Sequence, residues 1–177
     1  RATEASIARM HKEMGLDQPV VVQFATYLGN VARGRFGESV TLKVPVSRLI
    51  VERLPNTLML TAMSTVIALA LAVPLAYLAA LREGGWADAV IRMACQLGLS
   101  MPVFYLGLIL LIGLAAGLGW FPVGGVGDGF WENLYYLFLP SVTLALSFAA
   151  ILMRNLRDAL IGVLGAEFVQ FATAKGL

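Results

Sequence analysis

Residues 54–81 read LPNTLMLTAMSTVIALALAVPLAYLAAL, and not one of these 28 positions is charged. About 20 consecutive apolar residues cross a bilayer as a helix, so this run is a membrane span. Pro55-Asn56-Thr57 is a start signal, with Asn56 in the N-cap position. Pro74 falls late in the span, where neighbouring helices re-satisfy the carbonyl that it frees. Thr57, Thr61, Ser64, Thr65 and Tyr77 are polar enough to face a pore. The same side chains suit plain helix packing.

Downstream, Arg82-Glu83-Gly84-Gly85-Trp86-Ala87-Asp88 reads as a short turn with an interfacial Trp86, and Arg92 closes the charged region. A second uncharged run covers Met93 to Leu118 with Pro102 inside it, and Gly107, Gly113 and Gly117 permit close helix packing. Gly119 to Gly127 then leaves the membrane without a Lys or Arg. Its glycines do not make a nucleotide loop, because no Lys-Ser/Thr follows them. Asn133 to Met153 gives 21 uncharged residues opened by Tyr135 and Tyr136. At ~1.5 Å per residue that run reaches ~31 Å, about the hydrocarbon thickness. Arg154 and Arg157 anchor its exit. The expected segments are spans at 57–81, 93–118 and 134–157, turns or loops at 82–92 and 119–133, and a tail at 158–177.

Residues 1–56 are the polar part, with 8 of the 13 Lys+Arg and 5 of the 11 Asp+Glu. Thr3 caps an expected helix with Glu4 in its first turn and Ile7, Met10 and Met14 on one face, ending at Gly15. Asp17-Gln18-Pro19 makes a turn. Val20, Phe24, Tyr27, Leu28 and Val31 form a second amphipathic stretch, broken by Gly34-Arg35-Phe36-Gly37. Pro45 opens a short helix with Val46, Leu49, Ile50 and Leu54 on one face and Arg48, Glu52 and Arg53 on the other. Standing directly before a span, it reads as a helix in the membrane interface.

Composition agrees. The chain is 59% hydrophobic and 14% charged, with mean hydropathy +0.79. Soluble domains carry about 25% charged residues, and a soluble globule could not hide this much apolar surface. A single cysteine, Cys95, and a single histidine, His11, exclude an intrachain disulfide and a His/Cys metal site. No cofactor motif is present, and a net charge of +2 is too small to suggest nucleic acid. There is no Ser-His-Asp set, so no enzyme chemistry is expected. No charged residue lies within the three uncharged runs, which leaves a proton relay or ion-coupled carrier nothing to work with. Uphill movement of a solute would need energy from outside this chain.

The turn at 82–92 and the tail should share one side, because two spans separate them, while three spans put the two ends of the chain on opposite sides. They hold Arg82, Arg92, Arg154, Arg157 and Lys175, whereas the 119–132 loop holds Asp128, Glu132 and no basic residue. The positive-inside rule makes the tail cytoplasmic. The basic N-terminal segment then lies outside, where a separately structured segment constrains topology less. In the tail, Phe168, Val169 and Phe171 are apolar anchors, and the small Ala172, Ala174 and Gly176 allow a close backbone approach. This suits a short helix lying on a partner, or an ordinary amphipathic loop helix.

Phe168-Val169-Gln170-Phe171-Ala172-Thr173-Ala174-Lys175-Gly176-Leu177 resembles the cytoplasmic coupling loop of permease subunits in ATP-binding-cassette importers of the peptide/nickel type. Phe168, Val169, Ala172, Ala174, Lys175 and Gly176 match that family's segment. Gln170 and Phe171 depart from the Glu and Ala of the broader importer motif. Gly15-Leu16-Asp17-Gln18-Pro19 and Gly34 to Ser39 resemble its extracytoplasmic segment, with Arg35 where the family has Asp. Ser100-Met101-Pro102-Val103-Phe104, Gly119-Trp120-Phe121-Pro122 and Leu139-Pro140-Ser141-Val142-Thr143 follow in the family's order.

The resemblance implies an all-α, polytopic membrane helical bundle of the MetI-like permease kind, with this chain a fragment of a larger subunit. It implies a bacterial-type inner membrane and an importer of peptides or a related small solute. Its implied partners are a second permease subunit, two ATP-binding subunits and an extracytoplasmic solute-binding protein. Thr61, Ser64, Thr65, Ser100 and Ser147 are the candidate pathway-lining residues. A passive channel or membrane scaffold without an ATPase is the rival reading.

Overall fold

The computed structural model describes residues 18–39 and 41–176. The expected helix at Thr3 to Gly15, with His11 inside it, lies outside the described residues, as does Leu177. The described residues are helical apart from turns, loops and one isolated bridge between Glu38 and Pro45. The all-α expectation holds. The chain divides into two compact units, with the boundary at Pro55.

In the first unit, α1 runs from Val20 to Ala32. Pro19 pre-sets its start, and the Pro19 carbonyl accepts the N–H groups of Val22 and Gln23 at 2.9 and 3.1 Å. The helix stops where the sequence breaks. Gly34 takes φ 72°, a conformation that side chains with a Cβ resist. That twist lets Arg35 N–H reach back to the Asn30 carbonyl at 2.8 Å. No residue of α1 is buried, so Phe24, Tyr27 and Leu28 keep their apolar face open.

Helix α2 extends from Val46 to Leu81 without interruption. The short helix expected at Pro45 and the span expected from Thr57 are therefore one element. Pro55 is absorbed at the loss of one backbone bond. Asn56 is not an N-cap; its side chain accepts a hydrogen bond from Asn133 Nδ2 at 2.7 Å instead. A break here would leave several backbone groups unpaired beside lipid, each costing several kcal/mol.

In the second unit, the part of α2 beyond Pro55 is joined by α3 (Trp86–Ser100), α4 (Val103–Leu110), a π-helix (Leu111–Gly117), α5 (Phe130–Leu164) and α6 (Glu167–Ala174). Helix α2 buries a stripe of small residues, Ser64, Ala68, Ala72, Ala76 and Ala79. Four of these alanines cluster with Ala145, Ala149 and Met153 of α5 and Ile91 of α3. Lipid is as apolar as leucine, so membrane helices gain by bringing backbones close, and alanine permits that. Replacing Asn133 by alanine removes the polar tie between α5 and α2. Interhelical hydrogen bonds in membranes average about 0.6 kcal/mol. The expected result is a destabilisation of that small size, measurable by denaturant unfolding in detergent micelles.

The second uncharged run is not one straight helix. Pro102 forbids helical geometry at Met101, which sits at φ −88° and ψ 128°, and α3 and α4 meet at 101°. The π-helix follows, with Leu118 N–H bonded five residues back to Gly113 at 3.1 Å. Its wide turn was not legible beforehand. Helices α2 and α5 have 36 and 35 residues and are long and apolar enough to cross a membrane; the bent pair makes a third crossing if it counts as one span. At ~1.5 Å per residue each long helix is over ~50 Å, so both project past a ~30 Å hydrocarbon layer.

The loop before α5 is pinned to it. Phe121 stacks on Phe138 at 5.3 Å, and Tyr135 Oη donates to the Trp120 carbonyl at 2.6 Å. Gly127 is tight enough that a Cβ there would stand 2.5 Å from the Asn133 backbone nitrogen. Any side chain would push the loop off the helix.

Candidate functional site

The only fully buried charged residue among those described is Asp88, in the first turn of α3. Burying a lone carboxylate is prohibitive without partners. Arg157 of α5 supplies them, donating from Nε to Oδ1 at 2.6 Å and from Nη2 to Oδ2 at 2.8 Å. This two-point pairing matches the planar guanidinium to the planar carboxylate. Gly84 N–H adds a third donor to Oδ2 at 3.1 Å, available because Gly84 takes φ 73° in the turn. Arg92, one turn further along α3, stands 3.5 Å from Oδ1 with its side chain 57% exposed. Arg157 also donates from Nη1 to Asp158 at 3.1 Å. The 82–88 turn is thus locked to α5, seven residues before that helix ends at Leu164. The turn and the tail accordingly share one end of the bundle.

Sequence reading placed Asp88 in a turn and Arg157 at a span exit, but did not join them. They are 69 residues apart, and no periodicity links them. One signal was available. Asp88 stands three residues before Ile91 on the buried face of α3, where an acid demands a partner.

The tail forms α6 from Glu167, entered through Ala166 in extended geometry. Its residues divide between two faces. Val169 and Ala172 are half-buried, three residues apart. Phe168 and Phe171 are 67% and 63% exposed, and Lys175 Nζ lies 4.3 Å over the Phe171 ring. Ala174, Lys175 and Gly176 are also exposed, with Gly176 at φ 82°. The exposed stripe of α6 is therefore aromatic with one cation, and Ala172 turns toward the chain itself.

Three of the five candidate pathway residues come together. Thr61, Ser64 and Thr65 line a groove of ≈ 480 Å³ with Phe148 and Asn155 across from them. Their hydroxyls donate into their own helix, Thr61 to Thr57 at 2.7 Å, Ser64 to Thr61 at 3.0 Å and Thr65 to Thr61 at 2.7 Å. Each oxygen keeps lone pairs to offer. Ser100 and Ser147 stand apart from this groove. Ser100 donates to the Gln96 carbonyl at 2.8 Å beside the Pro102 bend. Ser147 Oγ is buried with no partner among the described residues.

Apolar crossings, a proline-bent helix pair and a charged clamp define a polytopic helical membrane protein. Comparison with known proteins makes the class specific. The family described as "Binding-protein-dependent transport system inner membrane component" matches residues 72–177. This chain belongs to that family, one of membrane transport components rather than enzymes. The matched region holds Asp88, Arg157, the Pro102 bend and all of α6.

Curated relatives include the oligopeptide transport system permease protein AppB of Bacillus subtilis (strain 168), 37% identical over 99% of this chain and 58% of its own length. A probable peptide ABC transporter permease protein, y4tP, of Sinorhizobium fredii is 35% identical over 99% of this chain and 57% of its own. The glutathione transport system permease protein GsiC of Salmonella typhi is 36% identical over 97% and 54%. The chain thus spans somewhat over half the length of the relatives it matches.

Proposed function

We propose that this chain is the membrane-spanning permease subunit of an ATP-driven importer, contributing part of the pathway for peptides or a related small solute. The observation that carries the reading is the match, end to end of this chain, to permeases named for oligopeptides, peptides and glutathione. ATP is hydrolysed on a separate subunit that docks on the exposed face of α6, Phe168, Phe171, Ala174, Lys175 and Gly176, while Val169 and Ala172, half-buried, seat the helix on its own chain. A second permease and an extracytoplasmic solute-binding protein complete the assembly. Thr61, Ser64, Thr65 and Asn155 face the solute route as hydrogen-bonding groups suited to an uncharged peptide backbone. Ser100 serves the same route beside the bend, and Ser147 serves it from α5.

The testing experiment is ATP-driven uptake of a labelled oligopeptide into vesicles holding the complete complex. Uptake should vanish when this subunit is left out. The purified subunit alone should show no saturable ATP hydrolysis. Uptake without it, or hydrolysis by it alone, refutes the reading.

Orientation gives a second test. The arginines around the 82–92 turn and the tail support a cytoplasmic placement of that end. A reporter fused at Gly84 of the full-length subunit should behave as cytoplasmic, and one at Gly125 as extracytoplasmic. The reverse pattern removes α6 from the ATPase side and with it the coupling role.

A further inference from the structure

Between α3 and α5, beside the Asp88–Arg157 clamp, lies an open cavity of ≈ 520 Å³. Arg92, Arg154 and Arg157 line it, with Met93, Leu99 and Met153 among its apolar walls. The charges do not balance. Three guanidiniums face Asp158 in the lining and Asp88 behind it, and Arg157 is already committed to both carboxylates. Arg154 is exposed and makes no ion pair among the described residues. Arg92 stands 3.5 Å from Asp88 Oδ1, an oxygen that Arg157 Nε already holds at 2.6 Å. The cluster therefore carries a net charge of +1, and Arg92 and Arg154 both face the cavity.

Their depth is set by the sequence. Arg154 directly follows the uncharged run from Asn133 to Met153, and Arg92 directly precedes the run that starts at Met93. Two helices thus each place one arginine at the hydrocarbon boundary, on one cavity whose walls continue as methionine and leucine. A basic pocket between membrane helices at headgroup depth recognises anionic lipid heads. A soluble anion would use the arginines and leave the apolar wall unexplained.

We propose that this cavity is a binding site for one anionic phospholipid. Its phosphate sits between Arg92 and Arg154, and an acyl chain runs along Met93 and Leu99. The lipid would bridge α3 and α5 just outside the clamp. The inference needs membrane insertion only and does not rest on the importer reading.

The experiment is native mass spectrometry of the complete complex, released from mixed micelles of phosphatidylglycerol and phosphatidylcholine. Phosphatidylglycerol should be retained selectively. Removing one basic residue near an anionic surface weakens binding about fivefold, so the Arg92→Gln/Arg154→Gln double variant should retain it roughly 25-fold more weakly. The Arg92→Lys/Arg154→Lys variant, which keeps both charges, should retain most of it, and this pair separates lost charge from lost fold. Excess inorganic phosphate should not displace the lipid. The proposal is overturned by equal retention of both lipids, by glutamine and lysine variants that behave alike, or by full displacement with phosphate.

Discussion

Asp88→Ala is expected to destabilise the bundle by about 3–5 kcal/mol, because it removes the two-point partner of a largely buried arginine and leaves that arginine only the exposed Asp158. The Arg157 side chain is 12% exposed, so water replaces the lost partner only in part. Arg157→Ala should cost a similar amount by stranding Asp88, which keeps only Gly84 N–H and the half-exposed Arg92 at 3.5 Å. Replacing both residues by apolar ones of similar volume, Asp88→Leu with Arg157→Met, should recover most of the loss, since a buried pair roughly balances its own desolvation. Denaturant unfolding of the full-length subunit in detergent measures all three, and the double-mutant cycle isolates the pair. Single variants that lose less than ~1 kcal/mol would show that the pair behaves as a solvated surface bridge. The double variant carries a second readout. If the charges serve only to join two helices, it should transport as the parent does. If their polarity also serves coupling, it should fold and yet hydrolyse ATP without uptake.

If an ATPase subunit docks on α6 as proposed, Phe168→Ala and Phe171→Ala should each weaken that association by about 30-fold, the loss typical of an aromatic interface anchor worth ~2 kcal/mol. The geometry distinguishes them from their neighbours. Phe168 and Phe171 project away from the chain, and Lys175 covers one ring face. Val169 and Ala172 are half-buried against their own subunit. Val169→Ala should therefore lower the stability of α6 before it lowers docking. Gly176→Trp introduces a left-handed backbone strain of about 1–2 kcal/mol whatever the partner does, which makes the phenylalanines the cleaner probes. Pull-down of the ATPase subunit and ATP-driven uptake in the complete complex are the measurements. Full association and full uptake in the double Phe→Ala variant would mean that α6 is not the docking element.

Much of the architecture was legible because lipid allows few solutions. An uncharged run the length of 54–81 must be helical, since only a helix satisfies every backbone group within one segment. The start of the interface helix was equally readable, because Pro45 has no N–H to lose there and α2 begins directly after it. The same logic misplaced a boundary at Pro55-Asn56-Thr57. In water that tripeptide is a good start signal; here the helix continues through it and Asn56 is drawn to Asn133.

What the sequence alone determined is therefore the material of the protein: apolar helices, a proline that breaks the second run, a basic rim, and a short terminal helix in a recognisable pattern. Each follows from local composition, and local composition acts within a few residues. Only the tertiary structure decided how those parts meet. It turned Pro102 into a 101° bend, set Asp88 against an arginine 69 residues away, and rotated α6 so that its phenylalanines, not Ala172, face outward. These outcomes depend on which face each helix gives to its neighbours. For α2, α3 and α5 that choice rests on the cluster of Ala72, Ala76, Ile91 and Ala145, a matter of shape between distant segments that no single stretch of chain encodes.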